Sequence, residues 1–309
     1  AIVLYEQKKG ALFMAPLYLI LLSALDIILY TARSYTSKLY ADSCHEEPIQ
    51  ATLVFSAITG FVGYFLTILF SGGLKSSLSV ITLFCGVSAG MVLFLYNLGY
   101  IRAAKTGPYA IQSIIGLFGC VLLPLLFERL LWDVTLSGMQ YIGIICVLCS
   151  FVFLNLKGLH LDGVKKGYYG WVALLFFSNG IYSTIIAAQQ RWVGTDQRSE
   201  MVSTVFLSMA IMSLVYLFIG CKADVKTAFH LTPKSWCYAL ASGAALTAAM
   251  NLLMILLAYI SASILYPVQN SAILVLLILL SAIHLHEKIY KHTIVGIIAA
   301  LLGIIALSL

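Results

Sequence analysis

From Ser235 to His286 the chain runs 52 residues without an aspartate, glutamate, lysine or arginine. About 20 apolar residues cross a hydrocarbon core as a helix, so this run is too long for one span and long enough for two. Ser261-Ala262-Ser263 before Pro267 is the natural break, because a proline cannot continue the hydrogen-bond ladder that precedes it. The same absence of charge marks Pro48–Leu74, Ser76–Ile101, Thr106–Phe127, Val134–Leu156, Gly167–Gln190, Met201–Cys221 and His292–Leu309. Gly10–Ser37 supplies the first span and carries two charges inside it, Asp26 and Arg33. The reading is an all-α membrane protein of ten transmembrane helices. The apolar runs are continuous rather than alternating, which argues against a transmembrane β-barrel. Only 10% of residues are charged and the mean hydropathy is +1.00, against roughly 25% charged residues in a soluble domain. The opening Ala1-Ile2-Val3-Leu4-Tyr5 is too short and unpunctuated for a signal peptide.

An internal echo organises these spans. Tyr100, Pro108 and Glu128 recur without a gap as Tyr259, Pro267 and Glu287. Five spans fall in residues 1–156, a polar linker occupies 157–166, and five more fall in 167–309. Five is odd, so the second unit must sit upside down relative to the first. Inverted repeats of this kind place a substrate site at the repeat interface in many secondary transporters.

Several classes of function are set aside by residue type. Cys146-x-x-Cys149 lies in an apolar run with no second pair, so the seven cysteines read as packing residues, with no metal or cofactor expected. Cys44-His45-Glu46-Glu47 reads as a solvated acidic loop. No phosphate-binding Gly-x-x-x-x-Gly-Lys-Ser/Thr loop is present, which disfavours nucleotide-driven pumping. The net charge of +6 includes no basic block or stacking motif for nucleic acid.

Two five-span halves, each with an apolar helix ending in a glutamate and then a glycine-punctuated last helix, resemble the EamA-type branch of the drug/metabolite transporter superfamily. The residues that carry this are His286-Glu287-Lys288 with Gly296 and Gly303, and Phe127-Glu128-Arg129 with Gly138 and Gly143. The resemblance implies a ten-helix inverted-repeat carrier with a central cavity and both termini cytoplasmic. Counting basic residues in the loops instead favours an external N-terminus. The lysine-containing motifs of nucleotide-sugar transporters are not evident.

Ser23, Asp26, Tyr30, Arg33 and Ser37 recur at spacings of three and four and share one helix face. An ionisable group within a span costs roughly 2.5–3.5 kcal/mol on insertion scales and usually faces a cavity or partner. Burial and Arg33 act on the protonation of Asp26 in opposite senses, which makes Asp26 the candidate for proton coupling. The sixth span overlays the first with an offset of 153, setting Asn179 on Asp26 and placing Ser183 and Gln190 on a second polar stripe beside Tyr182 and Gln189. Tyr96, Asn97 and Tyr100 in the third span, Gln112 in the fourth, Asn251 and Tyr259 around the eighth, and Gln269 and Asn270 in the ninth complete the candidate substrate contacts. Tyrosine offers an apolar ring with a polar tip, suited to an amphipathic or cationic ligand. The helix starts after Pro108 and Pro267 read as plain starts near the membrane surface, though free N–H groups there would also suit an anion. Arg102 and Lys105 fall in the turn before the fourth span, and Glu128 and Glu287 read as loop-ordering or capping groups.

Together these features describe a secondary carrier of a small organic solute, cationic, zwitterionic or amino-acid-like, driven by protons, another ion gradient or exchange. A membrane-embedded enzyme and a non-transporting receptor or scaffold are the alternatives. The expected setting is a plasma or inner membrane, and a homodimer is compatible with the sequence.

Overall fold

The structure, a computed structural model, describes residues 15–44, 48–71, 73, 78–156, 164–223, 228–284 and 290–309. Glu287 and its flanking motif, the centre of the linker, most of the acidic first loop and the N-terminal lysines lie outside the described residues. The regular elements are helices: α1 (Ala15–Ser43), α2 (Pro48–Ser71), α3 (Val80–Thr106), α4 (Tyr109–Trp132), α5 (Gly138–Leu154), α6 (Tyr168–Trp192), α7 (Arg198–Val215), α8 (Pro233–Leu256), α9 (Ala262–His284) and α10 (Lys291–Ser308). Among the described residues, nine of these are long and apolar enough to cross a membrane. The chain is an integral, multi-pass membrane protein. The exception is α5, whose 17 residues reach about 26 Å at 1.5 Å per residue, slightly under the ~30 Å hydrocarbon thickness.

Local chemistry moves several boundaries from those expected. The first helix continues past Ser37 to Ser43 because its polar side chains find partners on α8: Ser37 Oγ lies 3.3 Å from Ser242 Oγ, and Ser43 Oγ 2.8 Å from Ser235 Oγ. Arg102 and Lys105 are not in a turn but in the last turns of α3, which ends only at Gly107. Arg102 Nη2 there donates to the Tyr216 hydroxyl at 3.3 Å. Pro108 does open α4 as its N-cap, whereas Pro267 lies inside α9, five residues after its first. The last turn of the seventh span widens into a π-helix over Tyr216–Gly220.

The packing is between sequence-distant helices. The pairs α1–α8, α2–α7, α3–α6, α4–α6 and α5–α10 make the most extensive contacts, supported by α3–α7, α2–α8 and α1–α9. Large buried side chains concentrate where α6, α7 and α8 meet, with Ile186, Met201, Phe206, Met209, Met250 and Met254 almost wholly enclosed.

The α5–α10 crossing shows how the sequence allows such contact. Gly143 and Gly303 face each other, and a Cβ built on Gly303 would stand 2.9 Å from the Gly143 carbonyl oxygen and 3.1 Å from the Val147 nitrogen. These are backbone atoms with nowhere to move. In lipid, where packing rather than hydrophobicity drives helix association, small residues at the crossing let backbones approach. Gly138, in the first turn of α5, has nothing within 4 Å of such a Cβ.

Gly303→Ala is therefore expected to lower stability by about 1–3 kcal/mol through overpacking, and Gly138→Ala to leave it within about 0.5 kcal/mol. Thermal unfolding of the purified variants in detergent checks both, and equal effects would refute the crossing as described.

Candidate functional site

Of the three buried carboxylates among the described residues, Asp26, Glu128 and Glu200, the first two organise the interior, and the fold treats them differently. Asp26, on α1, is 1% exposed. Its Oδ2 accepts a 2.6 Å hydrogen bond from Gln269 Nε2 on α9, and its Oδ1 has no partner. Glu128, near the end of α4, is 2% exposed and saturated. Its Oε1 accepts from the Ala262 amide at 3.1 Å, and its Oε2 accepts from the Ser263 amide at 2.8 Å and from the Ser263 hydroxyl. Arg191, at the end of α6, adds an ion pair at 3.3 Å and rests its guanidinium over the Trp132 ring.

The first N–H groups of any helix lack intrahelical partners, and an anion there is also favoured by the helix dipole. Ala262 and Ser263 are each 1% exposed, so water does not satisfy them. Glu128 does so from the other half of the chain. Its place on α4 is fixed in turn by Asp133, which ends that helix in the left-handed region at φ 50° and returns its N–H to the Glu128 carbonyl. The sequence expectation of a capping role for Glu128 holds, but the capped helix is α9 rather than the next one in the chain.

Around Asp26 stand hydroxyls, amides and a thiol from five helices. The Tyr266 hydroxyl donates to the Ser183 carbonyl at 3.0 Å, and Tyr182 donates to Met250 Sδ at 3.5 Å. Cys120 Sγ lies 3.2 Å from Ser183 Oγ and accepts from Asn270 Nδ2 at 3.5 Å. Arg33 lies two turns along α1 from Asp26 with its Nε buried and without a partner, within electrostatic reach of Tyr30, Tyr96 and Tyr182. Asp26, Tyr30, Arg33, Tyr96, Tyr182, Gln269 and Asn270 thus fall in one region, where α1, α3, α4, α6 and α9 meet.

Other candidates serve elsewhere. Asn179 donates to the Gly116 carbonyl at 2.8 Å and fastens α6 to α4. Asn97 donates to Ser56 Oγ at 3.1 Å and fastens α3 to α2. Tyr100 pairs its hydroxyl with that of Tyr109. Gln112 is fully buried near the start of α4, with neither amide atom partnered. Tyr259 is 56% exposed in the turn between α8 and α9, away from the cluster. Asn251 lines a separate cleft between α2, α7 and α8. Among the described residues no group of three or more metal-ligating side chains forms.

Tyr266, Cys120 and Met250 were not legible as site residues. The signal for Tyr266 was present: with Gln269 and Asn270 it repeats at three and four residues, the spacing of one helix face. Reading Pro267 as a helix start placed Tyr266 outside that helix.

Residues 169–309 match the model of the EamA-like transporter family. The second half of the chain is thus similar to this family, which is part of the drug/metabolite transporter superfamily. No curated protein matches the chain. A crystal structure described only as that of a protein superposes with a TM-score of 0.73, covering 94% of this chain and 96% of that one, at 19% identity. At that identity the likeness shows the fold alone.

Removing the Glu128 carboxylate strands two buried amides, each costing about 1–3 kcal/mol, whereas Arg191 is 35% exposed in its side chain and its pairing is worth about 1 kcal/mol or less. Thermal unfolding should therefore rank Glu128→Ala as clearly more damaging than Arg191→Gln. The opposite order would remove the cap as the main role of Glu128.

Proposed function

We propose that the chain is a secondary transporter that moves a small zwitterionic or cationic organic solute by alternating access between two inverted five-helix units, residues 1–156 and 167–309. The family match supports a membrane transporter of small solutes. The packing supports the inversion: replacing each helix by the one five places along exchanges α1–α8 with α3–α6, α2–α8 with α3–α7, and α4–α6 with α1–α9, and leaves α2–α7 and α5–α10 unchanged. Two antiparallel copies produce such a network, and exchanging their conformations gives access from the two faces in turn.

The observation that carries the substrate class is the unpartnered oxygen of Asp26 beneath the tyrosines, with Arg33 two turns away. The two groups lie about 10 Å apart along the axis at 1.5 Å per residue, and the Arg33 side chain leans back toward Asp26. An ammonium at Asp26 and a carboxylate at Arg33 would satisfy both, with the rings of Tyr30, Tyr96, Tyr182 and Tyr266 around the apolar body of the solute. Asp26 would carry a proton when no cation occupies it, which couples solute to proton movement in opposite senses.

Asp26→Asn keeps the hydrogen bond to Gln269 and removes the charge. Uptake into proteoliposomes, with the solute first found by a thermal-shift panel of amino acids, quaternary amines, nucleosides and sugars, should fall at least about tenfold, and the residual flux should not respond to an imposed pH gradient. Arg33→Gln should weaken zwitterions about tenfold and leave quaternary amines without a carboxylate unaffected. Wild-type flux and pH response in Asp26→Asn would take Asp26 out of the mechanism.

A further inference from the structure

Away from Asp26, a cleft of about 310 Å³ opens between α2, α7 and α8. Its walls are polar at one end and apolar along the rest. Ser71, Arg198, Ser199 and Asn251 stand at the polar end, while Leu66, Phe70, Ala244 and Ala248 line the remainder. Ala244 and Ala248 are exposed on α8, and Phe70 is exposed on α2, so the cleft opens sideways, toward the lipid, as well as toward the helix ends.

Two side chains in it carry unused hydrogen-bonding groups. The Nε of Arg198 is buried and has no partner. Thr67 is 3% exposed, and its hydroxyl also has none. That is unusual for this protein: Thr31, Thr184 and Thr247 each return their hydroxyl to the carbonyl four residues back, at 2.6–2.8 Å. A buried hydroxyl left without a bond costs free energy that the backbone could have relieved. Arg198 begins α7, and its own amide is already bonded to the Thr195 carbonyl, so the anion-binding capacity at this end of the cleft is that of its guanidinium. Glu200 sits two residues on, about 200° around the helix, and does not share the Arg198 face.

We propose that this cleft holds one anionic glycerophospholipid, with its phosphate on the Arg198 guanidinium, an ester carbonyl accepting from the Thr67 hydroxyl, and an acyl chain along Ala244, Ala248 and Leu66. The spacing fits. Thr67 is one turn deeper than Ser71, about 6 Å at 1.5 Å per residue, comparable to the separation of phosphate and ester in a glycerophospholipid. A free phosphate would satisfy Arg198 but leave Thr67 and the apolar wall without a partner. A zwitterionic lipid would fill the groove but bring its own cation close to Arg198. The site does not depend on the chain being a carrier, because it is read by binding alone.

Native mass spectrometry of the purified full chain in detergent tests it, with dioleoyl phosphatidylglycerol, dioleoyl phosphatidylcholine and inorganic phosphate as the probes. One phosphatidylglycerol should bind more tightly than phosphatidylcholine. Arg198→Gln should weaken it about tenfold and abolish the preference between the two lipids. Ala248→Leu, which fills the apolar wall from an exposed position, should weaken both lipids and provides a variant that leaves the α7 start intact. Equal binding of the two lipids with no effect of Arg198→Gln would overturn the proposal. So would displacement of phosphatidylglycerol by inorganic phosphate together with indifference to Ala248→Leu, which would mark a plain anion site.

Discussion

Water is absent from the interior of a bilayer, so each backbone N–H there must find its acceptor within the protein. The start of α9 is where this constraint acts hardest. The helix ends at this junction are shut off from solvent: Leu256, Ala262 and Ser263 are essentially fully enclosed. Two amides at that helix start have no carbonyl to bond, and Glu128 supplies a carboxylate from 134 and 135 residues away. That single group sets where α9 begins and therefore where its face falls. Tyr266, Gln269 and Asn270 follow at one turn and two, which places the Gln269 amide on Asp26 and the Tyr266 hydroxyl on α6. The cap and the central polar cluster are thus one construction.

The two acids also show how a buried charge can be read. Both are almost unexposed, and desolvation penalises both. Glu128 accepts from two amides, a hydroxyl and a guanidinium, which leaves nothing for a ligand to add. Asp26 accepts from one amide and keeps an oxygen without a partner. A structural carboxylate is expected to look like the first. The second retains a capacity that a proton or an ammonium can fill, and the Tyr182 and Tyr266 hydroxyls near it donate to a thioether and a carbonyl rather than to it.

How much of this the sequence made legible follows the same physics. Uncharged runs locate helices because a span has no alternative solvent, so the number and order of the helices were readable. So was the stripe of Asp26, Tyr30 and Arg33, since one helix face is a local property. The start of α9 was not. A proline removes one ladder bond and disfavours helical geometry in the residue before it, which points to a helix opening at Pro267. The helix opens at Ala262 instead because its first turn is held from outside by Glu128, a contact that no local pattern encodes. The same shift explains why Tyr100 and Tyr259, which correspond in the sequence echo, part company: one lies within α3 against Tyr109, the other in an exposed turn. Arg102 and Lys105 joined α3 for the converse reason, that nothing stops the helix before Gly107.

That divergence bears on how an inverted repeat could carry an asymmetric solute. The main helix pairs exchange under a five-place shift, but the chemistry hung on them does not. Asp26 corresponds to Asn179, whose amide is committed to the Gly116 carbonyl as a fastener between helices. One half thereby presents an acid while the other presents a neutral, occupied group. Two conformations of similar energy need only a scaffold whose halves can exchange shapes, a property of packing. Binding a zwitterion in one orientation needs a single acid and a single base at fixed separation, a property of side chains. A second aspartate in place of Asn179 would lose the donor to the Gly116 carbonyl and set an acid against that acceptor instead. Exchangeable packing together with a lone acid at Asp26 would suit the polar, directional solute proposed above.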